Sequence, residues 1–429
     1  MAMNKKIFAL LMVMFSVIGA WADNGINSPY SRYGVGILSD QSLGINRQMG
    51  GLGYALRTHR FVNIQNPASF SEADTLTMLF EAGFSLQNVN FKEGSRRINA
   101  KNASFDYLAI QFRLCKGLGL SAGFLPYSNV GYSFSTTSSQ GTNEVHTETY
   151  SGTGGLYQPY IGLGWQPFSW VAVGAMGSYI YGDITHQVVS EFANSTARSK
   201  VYNAAIKNYK VDFGVQFMAK LANLFDLDDK HLLTLGATYS LGHDLNAKAT
   251  LTSTTSGAID EVTIPNGFHL PHTYGGGLAY RYNDRLTIGA DYTYQQWSTS
   301  TFFDQGETDK DDRISTGTDR CKISLGAEYS PNEVSKNLLK MMSYRAGIHY
   351  AQPYTKINGK EGCDEYGVSA GFSLPLYNSN NNYSHGTLHI SGQFIHLRPR
   401  SAGLITENYL RLNIGITFNE NWFMKLRVR

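Results

Sequence analysis

Alternation of apolar and polar residues is the feature that most constrains how this chain folds. Near its end, Leu410, Leu412, Ile414, Ile416 and Phe418 occupy every second position of one run. The same period recurs in many segments, and a period of two places successive side chains on opposite faces of a β-strand. Beyond the first residues, no apolar run approaches the ~18 residues that a membrane-spanning helix needs. The pattern therefore predicts an all-β fold and excludes a helical membrane protein.

Turns of unequal length separate the alternating segments. The short joints at 116-117 and 283-284 fall on one side of the predicted sheet, and the long polar joints at 136-146 and 304-314 fall on the other. Short periplasmic turns and long outer loops are typical of outer-membrane barrels. We therefore predict a transmembrane antiparallel β-barrel of about fourteen strands, at 75-90, 101-115, 118-135, 147-165, 170-190, 200-219, 232-254, 260-282, 285-303, 315-330, 342-355, 365-376, 386-398 and 406-418.

Residues 1-22 have the features of a secretory signal peptide. Two lysines precede an apolar stretch at 7-18, and Ala20 and Ala22 mark a cleavage site before Asp23. We therefore expect an exported protein in the bacterial outer membrane, in contact with its lipids. The whole chain carries 36 basic and 33 acidic residues, and this near balance indicates no nucleic acid or other polyanion as a partner.

Between the signal peptide and the first strand, residues 23-74 suit neither a long helix nor a strand. The glycines of this segment permit tight turns, and Pro67 stops regular elements. Irregular backbone at membrane depth is tolerated only where protein or water surrounds it. The sequence therefore predicts an N-terminal hatch, or plug, inside the lumen of a barrel formed by residues 75-429.

The hatch and several barrel segments resemble the FadL/TodX family of outer-membrane transporters for long-chain fatty acids and aromatic hydrocarbons. A GG-x-G stretch followed by Asn-Pro-Ala before the first strand carries the resemblance, and pieces at 151-168, 290-302, 324-332 and 407-425 extend it over most of the mature chain. The resemblance implies a fourteen-stranded barrel with apolar substrates bound inside. The matching hatch positions are Gly50, Gly51, Gly53, Asn66, Pro67 and Ala68.

In that family, substrates leave sideways into the bilayer where the third strand is kinked. The third predicted strand contains Pro126, which removes a ladder donor and forces a bulge or a break. Pro126 is therefore our candidate for a lateral opening, with a simple bend near the outer rim as the alternative. The branch with this style of ending also includes PorV-type relatives, which act as receptors or shuttles in protein secretion.

The strand phases place a set of charged residues on the inner face of the barrel. Opposite charges there usually satisfy each other and hold strands and plug together. The alternative is that Arg113, Lys322 or Arg345 binds the carboxylate headgroup of a fatty acid. The predicted inward set is Glu81, Arg113, Asp212, Asp291, Lys322, Glu328, Arg345 and His349.

Motifs for catalysis, metals or cofactors are not indicated. The histidines are scattered through loops without a nucleophile motif. Cys115, Cys321 and Cys363 match no metal spacing and cannot all pair. The glycine-rich run at 152-155 has no following helix, which argues against a phosphate loop. We expect neither an enzyme nor a cofactor.

Two functions fit these expectations. The first is an outer-membrane channel for diffusion of small hydrophobic molecules such as long-chain fatty acids, with lateral release into the bilayer. The second is a non-transporting FadL-like barrel, a subunit or receptor of an outer-membrane secretion or assembly complex, with other outer-membrane proteins as partners. Transport predicts an apolar pocket lined by phenylalanine and leucine beneath the outer loops, whereas the second function predicts a filled lumen.

Overall fold

The computed structural model describes residues 26–139, 145–192, 195–222, 228–244, 247–265, 268–303, 314–331, 337–357, 359–377 and 384–421. The predicted signal peptide at 1–22 and the start of the predicted hatch, 23–25, lie outside these residues. No helix in the described ranges is long and apolar enough to cross a membrane.

Twenty-three strands cover most of the described chain. In chain order they are β1 (Ile37–Leu38), β2 (Thr77–Glu93), β3 (Arg96–Cys115), β4 (Leu118–Ser139), β5 (Val145–Phe168), β6 (Val171–Phe192), β7 (Ser195–Lys220), β8 (His231–Ser240), β9 (His243–Asp244), β10 (Ala247–Thr255), β11 (Ala258–Pro265), β12 (His269–Leu270), β13 (Thr273–Tyr282), β14 (Leu286–Gln295), β15 (Thr301–Phe303), β16 (Ile314–Thr316), β17 (Arg320–Tyr329), β18 (Ser343–Ala351), β19 (Lys356–Ile357), β20 (Lys360–Glu361), β21 (Cys363–Tyr377), β22 (Ser384–Pro399) and β23 (Thr406–Asn421).

These strands build a closed antiparallel barrel of 14 strands, which confirms the predicted fold class and strand number. Each barrel strand pairs with its neighbours in the sequence, and β2 closes the barrel against β23. The seventh barrel strand consists of β8 and β10, and the eighth consists of β11 and β13. The small ladder β9–β12 lies where these two strands are interrupted, and the ladders β15–β16 and β19–β20 belong to the connections at the outer end.

The interruptions of the seventh and eighth strands correct the prediction of continuous strands at 232-254 and 260-282. β8 pairs with the lower part of β7, and β10 pairs with its upper part. Between them, Gly242 lies against the backbone N of His272. Pro271 cannot donate a ladder hydrogen bond. Both strands therefore leave the wall at the same level and resume above it.

Apolar side chains face outward and polar side chains face inward, as the alternation predicted. On β2, Leu86 is exposed, whereas Glu81 and Ser85 are buried. On β23, Leu410 and Leu412 are exposed. Similar exposed apolar residues occur around the barrel, so its outer surface is an apolar band suited to a membrane.

Aromatic residues border this band at both ends. Five exposed aromatic rings lie near the short periplasmic turns: Trp165, Trp170, Tyr282, Tyr329 and Tyr344. At the outer boundary, an aromatic ladder crosses β2 to β6 with centroid spacings of 5.6 to 6.0 Å. Its members are Phe84, Phe105, Phe124, Tyr157 and Tyr181. β4 to β7 continue beyond this ladder, whereas β14, β17 and β18 do not extend as far.

Residues 26–74, which we call the N-terminal segment, lie inside the barrel. The segment contains two 3-10 helices (Pro29–Arg32 and Pro67–Glu72), the strand β1 and the short helix α1 (Gly44–Gln48). Its apolar side chains pack in clusters with inward residues of the wall. A second short helix, α2 (Leu338–Met341), lies in the periplasmic joint between β17 and β18.

Candidate functional site: the filled lumen and the open seam

A ring of glycines on the inner wall forms the seat of the N-terminal segment. Neighbouring strands align these glycines, so that Gly119 pairs with Gly164, Gly164 with Gly174, and Gly174 with Gly214. A methyl group added at any member would collide with atoms of the N-terminal segment. The wall carries no side chains at the positions where the segment lies against it. The ring comprises Gly119, Gly164, Gly174, Gly214, Gly236, Gly277, Gly289, Gly326 and Gly347.

The N-terminal segment follows this ring around the wall. Met49 lies against β17 and β18, Tyr54 against β8 and β13, and Asn66 against β7. Pro67 then lies against β5 and β6, and Phe70 against β4 and β5. From Met49 to Phe70 the chain thus passes from β18 round to β4 in strand order, with its backbone directly on the inner wall.

Asp291 on β14 fastens the glycine turn of the predicted hatch. Its Oδ2 accepts hydrogen bonds from the N–H of Gly53 at 2.6 Å and of Tyr54 at 2.9 Å. Hydrogen bonds to a charged acceptor are stronger than those between neutral groups. Gly50 and Gly51, with φ of +70° and +82°, adopt backbone conformations that glycine reaches at little cost. The glycines give the turn its shape, and the carboxylate holds it on the wall.

The Asn-Pro-Ala motif ends the circuit. The Asn66 side chain accepts a hydrogen bond from the Ala68 N–H at 3.1 Å, and so caps the 3-10 helix that Pro67 begins. The Asn66 amide donates to the carbonyls of Tyr54 at 2.8 Å and Val215 at 3.1 Å. Asn66 therefore connects the two ends of the loop formed by residues 54–66 and attaches both ends to β7.

Several predicted inward charges contact the N-terminal segment. Glu81 is 2% exposed and accepts a hydrogen bond from the Val62 N–H at 3.3 Å. Arg345 Nε lies 3.1 Å from Glu328 Oε2, and Arg345 Nη1 donates to Gln48 Oε1 at 3.1 Å. The Arg345 guanidinium therefore already has a carboxylate partner and a partner in α1.

The other predicted charges are spread over different levels of the wall. His349 Nε2 lies 2.9 Å from Glu365 Oε1. Asp212 accepts hydrogen bonds from Lys210 and from a serine on β8. Arg113 lies at the periplasmic end of β3, where it bonds a threonine hydroxyl at 2.7 Å. The structure does not bring Arg113 together with the rest of the set.

Sequence reasoning missed the buried ion pair that anchors α1. Arg47 is 3% exposed, and its Nη1 lies 2.7 Å from Asp106 Oδ2. Simple alternation with Leu108 placed Asp106 on the outer face. A register shift between Gly83 and Phe84 on the paired strand changes this phase and turns the carboxylate inward. Single-sequence alternation carries no signal for such a bulge.

A buried carboxylate near the outer end of the barrel was also missed. Glu407 on β23 is fully buried, and its two oxygens accept hydrogen bonds from Ser28 Oγ at 2.8 and 2.9 Å. Tyr30 Oη donates to the carbonyl of Ile405 nearby. The start of the described N-terminal segment is thereby held at the outer end of the lumen.

Two cavities lie beside the N-terminal segment, and both have charged walls. The outer cavity, of about 240 Å³, is lined by residues that include Asp40, Arg320 and Lys322. The inner cavity, of about 270 Å³, opens towards the periplasmic end beside Arg57 and Arg281. The outer cavity is also lined by apolar residues, among them Ile37, Leu38 and Leu397, but by no phenylalanine of the described ranges. The inner cavity is lined by Leu56, Phe61 and Leu232 beside its charges.

The wall is open between β3 and β4 above the aromatic ladder. The pairing of these strands ends at Leu108 and Phe124, although both strands continue. β4 has a register shift between Pro126 and Ser128, and β1 pairs with β4 at residues 128–129. We call this gap between the upper parts of β3 and β4 the seam. Pro126 lies at its lower end, and its role in lateral opening stays a prediction.

β4 has left the regular wall at the seam. Leu125, Pro126, Tyr127 and Ser128 are all buried, whereas a strand facing lipid on one side alternates between buried and exposed residues. Ser39 N–H bonds the Tyr127 carbonyl at 2.9 Å. The N-terminal segment thus covers the edge of β4 that β3 has released.

Comparisons with known proteins agree with this architecture. The BamG family model matches residues 3–428, and none of the curated proteins compared matches the chain. The Pseudomonas putida toluene transporter TodX aligns with a TM-score of 0.56 at 16% identity, covering 92% of this chain and 100% of TodX. The Ralstonia pickettii toluene transporter TbuX aligns with 0.56 at 15%, covering 88% and 98%. A Pseudomonas aeruginosa FadL homologue aligns with 0.55 at 12%, covering 89% and 99%. These likenesses confirm the fold of the FadL/TodX barrels.

Proposed function

The chain belongs to the BamG family, and we propose that it is a non-transporting FadL-like barrel that acts as a subunit or receptor of an outer-membrane secretion or assembly complex. One observation carries this proposal. The N-terminal segment fills the lumen along the glycine ring and is fastened to the wall by buried polar contacts.

The contacts of the N-terminal segment favour a permanent seat over a movable plug. They include the Arg47–Asp106 ion pair, the carboxylate of Asp291 on two backbone donors, and the hydroxyl of Ser28 on Glu407. Breaking a buried ion pair by removing one partner costs about 3–5 kcal/mol. A substrate that had to displace the segment would need to supply more than that.

The cavities argue against an apolar substrate path through the lumen. Pockets for small molecules are usually ~300–1,000 Å³ and predominantly apolar. The outer cavity is somewhat smaller at about 240 Å³, and its lining includes Arg320, Lys322, Glu365 and Arg411. Removing such charges from water is costly unless each is paired. These charges favour a polar occupant over a fatty acid or aromatic hydrocarbon, although apolar side chains such as Leu38 and Tyr127 also line the cavity.

This proposal includes the location and the organisation of the chain. Export by a cleaved signal peptide at 1–22 places a hatch at 23–74 and a barrel at 75–429 in the outer membrane. The exposed apolar band and its two aromatic borders support the membrane location.

The test is isolation of the protein from its own outer membrane in mild detergent, followed by native mass spectrometry. We expect protein partners in constant ratio and no bound fatty acid. Recovery of a monomer that carries a fatty acid would contradict the proposal. The intact signals of barrel and partners also give the stoichiometry directly.

A channel for hydrophobic molecules with lateral release remains the second candidate, and the seam is the observation that favours it. Substituting Pro126→Val should restore regular pairing at the bulge. If the chain is a channel, this change abolishes uptake of oleate by cells. If our first proposal holds, uptake equals that of cells lacking the protein, with or without the substitution. A matched substitution in a regular strand, Pro159→Val, controls for loss of a proline.

A further inference from the structure

We propose that the free edge of β3 at the seam, residues 96–107, receives a β-strand of a protein partner at the outer face of the membrane, and that this strand is acidic. The inference rests on the proposed function, because it names the place where one partner of the complex binds. It assigns the seam to protein recognition instead of ligand release.

The pairing of β3 defines the edge. Along one side, β3 pairs with β2 from Arg96 to Phe112. Along the other side, its pairing with β4 covers only Leu108 to Cys115. Among the described residues, no strand pairs with this second side over 96–107. At about 3.3 Å per residue, the free edge is roughly 40 Å long.

The N-terminal segment does not complete this edge. Its only strand, β1, pairs with β4. The side-chain contacts that reach the upper part of β3 include those from Asn27 to Asn102 at 3.0 Å and from Arg47 to Asp106 at 2.7 Å. These contacts hold the inner face of β3 in place. The hydrogen-bonding edge therefore remains available in a position fixed by the rest of the fold.

The edge is accessible from the outer side of the membrane. The aromatic ladder crosses β3 at Phe105 and β4 at Phe124, and the seam opens directly above it. Arg96, Arg97, Asn99 and Lys101 are all exposed. A long exposed edge with unpaired N–H and C=O groups is a template for pairing with another chain.

The charges around the edge specify the complement. Arg96, Arg97 and Lys101 lie on β3, and Lys92 lies on the paired strand. Glu93 is the one acidic residue in this group. Four positive charges against one negative charge favour an acidic partner strand. Lipid phosphates offer the same charge, but they cannot satisfy the regular series of backbone donors and acceptors.

Site-specific photo-crosslinking in the native membrane tests the geometry. A photoreactive residue replaces Asn99 or Ala103, both of which share the outward face of β3 by their pairing with β2. Leu410, which is 61% exposed on β23 and paired on both sides, is the matched control. We expect adducts of Asn99 and Ala103 to map to one partner segment, about four residues apart, as in a paired strand. Leu410 should not reach that segment.

Charge reversal gives a second measurement. The triple change Arg96→Glu, Arg97→Glu and Lys101→Glu should reduce the co-isolated partner about tenfold, the scale of three exposed ion pairs. The control triple, Lys200→Glu, Lys207→Glu and Lys248→Glu, reverses exposed charges on β7 and β10 and should have little effect. Heat-modifiable migration on a gel verifies that both variants form barrels.

The outcomes separate this inference from the proposed function. Adducts with lipid alone, adducts scattered over several segments, or equal effects of the two triples would overturn the strand-accepting edge while partners still co-isolate. Absence of any partner from the unmodified protein would overturn the proposed function itself.

Discussion

A single methyl group at Gly174 should loosen the N-terminal segment. An alanine Cβ there would meet the Pro67 carbonyl group and lie 2.5 Å from the Ala68 N, about 0.9 Å short of the 3.4 Å at which ordinary contact begins. These are backbone atoms, so no flexible side chain can move aside. Overpacking of this kind costs about 1–3 kcal/mol. The equilibrium for release of the segment should therefore rise about 5- to 150-fold.

Limited proteolysis measures this release. Trypsin cuts after Arg57 and Arg60 only when the segment leaves the wall, and the cut rate follows the open population when reclosing is fast. Gly177→Ala is the control, because Gly177 lies on the same strand and a methyl group there meets nothing within 4 Å. Its cleavage rate should match that of the unmodified protein. Equal rates for Gly174→Ala and Gly177→Ala would refute the argument that the glycine ring is the seat.

Three further expectations concern the contacts of the same segment. Asp291→Asn weakens two backbone hydrogen bonds and should cost about 1–3 kcal/mol of docking, visible as faster tryptic cleavage; unchanged cleavage would contradict the role of Asp291. Arg47→Met leaves Asp106 buried without its partner and should lower stability by about 3–5 kcal/mol, measured as the midpoint of heat modification, with much of the loss recovered when Asp106→Leu is added. Burial raises the pKa of Asp40, but Lys322 and Arg47 lower it more, so its pKa lies below the usual range. Because this pKa is lower in the folded state, the contribution of Asp40 to docking of the segment is complete above about pH 4 and is lost as the pH falls further. Cleavage of the segment by an acid-active protease across pH 2–6 measures this loss. A loss of docking that begins near pH 6 would contradict the argument.

The hatch motif illustrates how far local sequence reaches. Gly50 and Gly51 indicated tight turns, and both have positive φ. Pro67 indicated the end of regular structure, and it begins a 3-10 helix. Such residues restrict their own backbone, so a single sequence carries the signal. The contacts of these residues with the wall, such as Asn66 with the Val215 carbonyl, depend on a strand far along the chain.

The inward charges mark the limit of that reasoning. Alternation placed Glu81, Asp291 and Arg345 on the inner side of their strands, and all three side chains are buried. It does not give the height of a residue along the barrel axis, so it could not show that Arg113 lies apart from the other inward charges. It also gave Asp106 the wrong face, because a bulge in the pairing reverses the phase of the strand.

The sequence by itself determined the class of fold, the number of strands and the direction in which apolar side chains face. These follow from a period of two and from turn residues, which act over a few neighbours. Only the tertiary structure decided that nine scattered glycines form one ring, that the N-terminal segment fills the lumen along it, and that β3 and β4 part at the seam. The physical reason is that the stagger of strands in a closed barrel brings distant residues to one level, and no local pattern records that alignment.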